Sequence, residues 1–201
     1  MVKFGTSKKV EEKKDEKEKS LLASAFDLFT EKGFKDTSIQ EIVDKAGVAK
    51  GTFYLYFKDK YEIQNRLIMK KSNELLNSAL KHVDKKNITD NKERIIELID
   101  YIINRFNRDK LLLKFISKNL SWGIFNDKMN KVLKETEQDI LELFKKNIAS
   151  CNSKIINPEV TLFMIIELTS STVYNSIVYS NPLPINEYKP YLYDEIRKML
   201  S

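Results

Sequence analysis

The sequence predicts an all-α fold, and three observations carry that prediction. The 201 residues include only five glycines and four prolines, too little turn chemistry for a chain of many short strands. Few segments alternate apolar and polar residues with period two, whereas apolar residues recur at helical spacing along most of the chain. The composition is 42% hydrophobic and 32% charged, which suits helices with solvated outer faces and excludes a wholly disordered chain. The length allows one large domain or two small ones.

Residues 1–19 carry a mixed-charge run, KKVEEKKDEKEK, with almost nothing to bury, and read as a flexible arm that turns helical towards Ser20. Leu22, Ala25, Phe26 and Phe29 then mark a helix face, widened by Leu21 and Leu28. Gly33 can close that helix with a positive φ, and Phe34 can fold back on its last turn. The next helix has two overlapping start signals, Thr37 with Gln40 and Ser38 with Glu41, either of which can form a capping box. Its apolar face is Ile39, Ile42, Val43 and Ala46, and Gly47 supplies the turn. A second short helix follows in Ala49-Lys50-Gly51-Thr52-Phe53-Tyr54-Leu55-Tyr56-Phe57, and Asp59 can cap a long helix running to about Val83.

Two short helices around a glycine turn form the helix-turn-helix layout. Ile42, Val43, Val48, Phe53 and Phe57 can pack the pair against Phe26 and Phe29, which leaves Lys50, Thr52, Tyr54 and Tyr56 on other faces. Cationic, hydroxyl and phenolic side chains on a second helix suit a major groove and its bordering phosphates. Between Lys50 and Lys71 stand six basic side chains and only two acids, Asp59 and Glu62. The net charge of +6 is concentrated towards the N-terminus, with 19 Lys/Arg against 14 Asp/Glu in residues 1–86. A charge run alone reads as a solvated face; over a helix-turn-helix it reads as a phosphate-binding surface.

A polar joint at Asn87 to Asn91 precedes further helices at about 92–106, 109–120, 128–149, 158–179 and 187–200. Asn157-Pro158 is a helix start, with Asn as cap and Pro at the first helical position. The helix it opens is apolar nearly all round and must be covered on several sides, for which a partner subunit is a ready cover. The chain has one cysteine, Cys151, and one histidine, His82. That excludes an intrachain disulfide framework and leaves no recognisable zinc or histidine-based catalytic constellation. Cys151 reads as a loop bystander and His82 as a surface or joint residue. No apolar run approaches a membrane span, no spacing marks a paired-carboxylate site, nucleophile elbow or phosphate loop, and no cofactor or metal is called for. The expectation is a soluble cytoplasmic protein that is not an enzyme.

The stretch Ser20 to Leu67 resembles the DNA-binding region of the TetR (tetracycline repressor) family. The likeness rests on the LF-x-x-x-GF ending of the first helix, the Thr-Ser opening of the second, the AGV turn and the KGTFYLYF-x-x-K run, in that order. It implies an all-α protein with an N-terminal three-helix DNA-binding domain and a C-terminal helical bundle for ligand binding and dimerisation. The corresponding boundaries are a charged arm at 1–19, the DNA-binding domain at 20–66 and the second domain at 67–201, with a connecting helix at about 60–83. It further implies a homodimeric repressor, released from a near-palindromic DNA operator when a small molecule changes the spacing of its two reading heads. By motif position, Lys50, Gly51, Thr52, Tyr54 and Tyr56 form the recognition segment, Gln40 reaches a base edge or backbone, and Ser38 and Lys60 clamp phosphates. Ala49 departs from the family's frequent Ser or Thr, so the recognition helix lacks a side-chain cap, at about 0.5–2 kcal/mol.

Tyr101, Phe106, Phe115, Trp122, Phe125 and Tyr174 are candidates to line a pocket for a hydrophobic effector, although each also reads as ordinary core. Glu167 is an acid inside an apolar run; it could meet a cationic ligand, bond hydroxyls across a dimer, or point to solvent. Self-association is expected through the helices at 158–179 and 187–200, without a membrane partner. The alternatives are a helical interaction protein of the same fold that binds no specific DNA, and an enzyme.

Overall fold

The computed structural model describes residues 4–119, 121, 125, 140–152 and 154–201. Every regular element among them is helical. The helices are α1 (Phe4–Glu31), α2 (Ile39–Ala46), α3 (Lys50–Tyr56), α4 (Lys60–Asp84), α5 (Asn91–Arg108), α6 (Lys110–Ile116), α7 (Ile140–Ala149), α8 (Pro158–Tyr179) and α9 (Ile185–Met199), with a 3-10 turn at Ser117–Asn119. Two compact units emerge, one ending at Leu67 and the other beginning at Ile68. The expected helix at 128–149 is described only from Ile140, its earlier part lying outside the described residues.

In the first unit, α1 continues back to Phe4, so the segment expected as a flexible arm is drawn as helix. Its buried face is Leu21, Leu22, Ala25 and Phe29, the spacing that the sequence displays. Gly33 adopts φ 95° after the helix end, and the Phe34 ring returns to within 5.3 Å of Phe29. Ile42, Val43, Phe53 and Phe57 are all almost completely buried, while Phe26 and Val48 are half-buried. The α1–α2 pair is also tied by Ser20 Oγ, which donates to the Ala46 carbonyl at 3.1 Å, and by Lys45 against Asp27 at 3.0 Å. Gly47 closes α2 at φ 67°, its N–H donating to the Asp44 and Val43 carbonyls. Any side chain there would be strained in the left-handed region.

Of the two overlapping start signals for α2, Ser38 with Glu41 forms the capping box. Thr37 is buried instead, its hydroxyl donating to the Gly33 carbonyl at 2.8 Å. One hydroxyl therefore closes the helix start, and its neighbour ties the preceding turn. Asp59 caps α4, accepting from the Glu62 N–H at 2.8 Å.

The second unit packs α5, α7, α8 and α9 with the later part of α4 around an aliphatic core that includes Ile99, Ile103, Phe106, Ile148, Val173 and Ile196. Asp90, Asp109 and Asn157 cap α5, α6 and α8. A polar joint fixes α9 on α5: Asp100 accepts from Lys189 Nζ at 2.7 Å and from the Tyr193 hydroxyl at 2.5 Å. Burial works to raise the Asp100 carboxyl, but Lys189, Tyr193 and Asn104 outweigh it and hold it below the ordinary carboxylate range. Arg197 adds a two-pronged pair with Glu93 at 2.7 and 2.9 Å.

Candidate nucleic-acid interface

Helix α3 is only seven residues long, yet its 3.6-residue period sorts them cleanly. Phe53 and Phe57, four apart, point into the core at 0% and 1% exposure. Gly51, Tyr54 and Leu55 turn away from that face, and Lys50 is exposed at the first position of the helix, one turn before Tyr54; Tyr54 is 54% and Leu55 78% exposed. Thr52 and Tyr56 are half-buried. The Tyr54 ring stands edge-on to Phe53 at 5.4 Å, which anchors its base and leaves the phenol outward. A Cβ added at Gly51 would meet nothing within 4 Å, so the backbone is open to close approach there. Ala49 supplies no side-chain cap.

Leu55 is the member of this surface that reading by motif missed. The signal was available in the spacing, because Leu55 stands four residues after Gly51 and two from each buried phenylalanine. An apolar side chain so exposed can meet a thymine methyl group in a major groove.

Three residues expected at DNA have internal partners. Gln40 is exposed and its amide donates to Asp44 Oδ1 at 2.8 Å. Ser38 uses both of its donors on Glu41: the backbone N–H reaches Oε2 at 2.9 Å and the hydroxyl reaches it at 2.8 Å. The Glu41 carboxylate thus occupies the helix start where a clamped phosphate would have to sit. Lys60 is also committed inward. Its ammonium lies 2.7, 3.3 and 2.6 Å from the carbonyl oxygens of Phe34, Lys35 and Thr37, and 4.4 Å above the Phe34 ring. Its three protons are therefore used to hold the turn between α1 and α2.

Lys32 pairs with Glu41 and, together with the Ser38 N–H and hydroxyl, pulls its carboxyl from the ordinary 4.5 down to about 2. A lowered folded-state value means that the charged form stabilises the fold, a contribution present above about pH 4.5 and lost as pH falls towards 2. Glu41→Gln is therefore expected to destabilise the first unit at neutral pH and to flatten its acid response between pH 4.5 and 2. Unfolding followed at several pH values checks this, and parallel acid responses in the two proteins would refute it. Ser38→Ala, by removing the cap itself, should cost about 1 kcal/mol at pH 7.

The six described members of the seven expected pocket residues do not converge on one site. Phe106 is fully buried and lines a narrow apolar void of about 50 Å³, together with Ile95, Leu98, Ile165 and Thr169. Glu167 and Tyr174 line a different, polar recess of about 450 Å³ with Ser117, Asn175 and Tyr179. Tyr101 lies beside His82, ring centroids 4.8 Å apart, and Phe125 stands edge-on to Phe163 at 5.7 Å. Phe115 packs half-buried against the core. Tyr101, Phe115 and Phe125 line neither of these two spaces, and Trp122 lies outside the described residues.

The remaining chemistry is quiet. His82 meets Glu97 at 3.0 Å. The Cys151 thiol donates to the Asn147 carbonyl at 3.3 Å, and burial pushes its pKa up, which disfavours the reactive thiolate. Among the described residues no group of three or more His, Cys, Asp or Glu side chains could hold a metal ion. No described helix is long and apolar enough to cross a membrane.

Residues 21–67 match the family described as bacterial regulatory proteins, tetR family. Over 135 residues the chain is 30% identical to the HTH-type transcriptional regulator YdgC of Bacillus subtilis, covering 66% of this chain and 64% of that protein. Over 192 residues it is 22% identical to the probable acrEF/envCD operon repressor of Escherichia coli, covering 89% and 84% respectively. The first curated relatives are matched over less than two thirds of their own length. Among solved structures, the transcriptional regulator FadR of Bacillus subtilis, in complex with stearoyl-CoA, superposes with a TM-score of 0.64 at 18% identity, over 88% of this chain and 96% of that one. Identity at that level speaks for the fold: an N-terminal helix-turn-helix domain followed by a C-terminal helical domain.

Proposed function

Because the chain belongs to the TetR family of transcriptional regulators, we propose that it is a homodimeric repressor released from a near-palindromic operator by a small hydrophobic effector. The observation that carries this reading is the sorting of α3, with Phe53 and Phe57 sealed inside while Lys50, Gly51, Tyr54 and Leu55 are all exposed. In this reading α3 enters the major groove. Tyr54 and Leu55 meet base edges, Lys50 meets a phosphate, and Gly51 lets the backbone approach. Thr52, Tyr56 and Gln40 border the groove, while Ser38 and Lys60 hold the turn that aims the helix.

Two such heads on one dimer read successive major-groove faces roughly 34–36 Å apart. The subunits join through α8 and α9; Val160, Phe163 and Met164 on α8 are 45–49% exposed, an apolar strip that a second copy would cover. The apolar void behind α8 supports a hydrophobic effector. Ligand that favours a wrongly spaced state weakens DNA binding, and DNA weakens ligand binding by the same factor.

The test is a mobility shift with the DNA upstream of the protein's own gene, at two salt concentrations, against random duplex. A complex that resists competitor and weakens steeply with salt is expected. Absence of any preference for specific DNA, there or after selection from random sequence, would refute the regulator and favour an interaction protein of the same fold.

A further inference from the structure

The void and the recess of the second unit are neighbours. Ser170 lines both, and Glu167, Thr169, Ser170 and Ser171 all fall within five consecutive residues of α8. The void is walled by aliphatic and aromatic side chains of α4, α5, α7 and α8, yet it contains a hydroxyl without a partner, Thr169 Oγ1, on a residue only 8% exposed. The recess has a second, Ser117 Oγ, on a residue 3% exposed. Buried hydroxyls without partners are costly in a folded protein, and in the recess a bound polar group is one way to satisfy Ser117 Oγ.

The recess is also sharply defined in charge. Among its described lining residues, Glu167 is the only formally charged one, and none is Lys, Arg or His. Glu167 accepts from the Ser121 hydroxyl, a neutral partner, and among the described residues no cation pairs with it. Tyr174 and Tyr179, whose rings meet edge to face at 6.0 Å, line the same recess, and aromatic rings of this kind attract cations. A carboxylate or phosphate headgroup would find no described counter-charge there and would be repelled by Glu167.

We propose that the effector is an amphiphilic cation, its ammonium group held in the recess by Glu167 and the two tyrosines and its apolar tail directed into the Phe106 void. The tail widens the narrow gap between α5 and α8, which couples occupancy to the helix arrangement of the second unit. A protonated amine additionally donates to Ser117 Oγ; a quaternary ammonium relies on Glu167 and the rings. This deepens the effector-binding part of the regulator reading and rests on it.

The experiment is calorimetric titration of the full chain with three probes of equal tail length, decyltrimethylammonium, decanol and decanoate, all well below micelle-forming concentrations. The expected order of affinity is cation, then alcohol, then carboxylate. Glu167→Gln should weaken the cation at least tenfold and leave decanol within about twofold, while light scattering shows an unchanged oligomeric mass. Decanoate binding more tightly than the cation, cation affinity unchanged in Glu167→Gln, or no binding of the cation would overturn the proposal. So would a change of mass in Glu167→Gln, which would put the residue in a subunit seam. Specific DNA binding measured without any probe tests the regulator reading separately. A protein that binds its operator but not the cation refutes the ligand class alone.

Discussion

Replacing Lys50 and Tyr54 together by alanine is expected to abolish selective DNA binding while the protein stays folded. Tyr54 projects from the open surface of α3 at 54% exposure, and Lys50 is exposed beside it. Tyr54 touches the core only through its edge-on contact with Phe53, so stability should fall by about 1 kcal/mol or less for Tyr54→Ala and by about 0.5 kcal/mol or less for Lys50→Ala. A base-edge contact carries about 1–3 kcal/mol of discrimination, so Tyr54→Ala alone should weaken operator binding roughly tenfold to a hundredfold. Lys50→Ala should weaken all duplexes alike and reduce the salt slope by about one. Anisotropy titrations at several salt concentrations separate the two effects, and a melting curve reports on the fold. Operator affinity equal to wild type in the double variant would remove α3 from the interface.

A second large effect is expected at Phe53. The ring is fully buried, its centroid 5.5 Å from that of Phe57 and 5.4 Å from that of Tyr54. Truncation to alanine loses the transfer free energy of the ring and leaves a cavity, together about 3–5 kcal/mol. Against a typical net stability of about 5–15 kcal/mol, that is enough to unfold much of a unit this small. DNA binding would then be lost through unfolding. Leu55→Ala is the matched control two residues away, since Leu55 is 78% exposed. It should preserve the melting transition and alter only DNA affinity. Urea unfolding of the two variants decides it, and equal stability would mean that the faces of α3 are assigned the wrong way round.

The contrast between these neighbours explains what was legible in the chain. Apolar spacing is a covalent property of the sequence, so Phe53 and Phe57 could be assigned to the core and Tyr54 to the surface without coordinates. Gly33 and Gly47 likewise mark helix ends, because only a residue without a side chain enters the left-handed region at little cost. The capping choice was not decidable in that way. Thr37 and Ser38 offer the same hydroxyl chemistry one residue apart, and Thr37 is turned inward only because the carbonyls of Leu28 and Gly33, from another helix end, stand within its reach.

Lys60 shows the same limit from the side of electrostatics. Its position at the start of a helix, after a basic and aromatic run, suggests a phosphate. Three carbonyls from a loop more than twenty residues earlier take its protons instead, and no local pattern records where that loop passes. In the second unit, the sequence marks Glu167 as an acid in an apolar run and Phe106 and Tyr174 as pocket candidates, but their division between an apolar void and a polar recess depends on how α5 meets α8. Thr169 carries no signal in the sequence, because a threonine in a helix usually finds a carbonyl one turn back.

The sequence by itself determined the helical class, the order of the helices in the first unit, the buried face of α3 and the family to which residues 21–67 point. Those features follow from periodicity, caps and turn residues, which act over a few positions along the chain. Only the tertiary structure decided which polar groups remain available. It tied Ser38 and Lys60 to internal partners, left Lys50, Tyr54 and Leu55 open, and set Glu167 beside two tyrosines with no described cation nearby. The reason is physical: a hydrogen bond or ion pair is satisfied by whatever the fold brings within about 3 Å, and that neighbour is commonly remote in sequence.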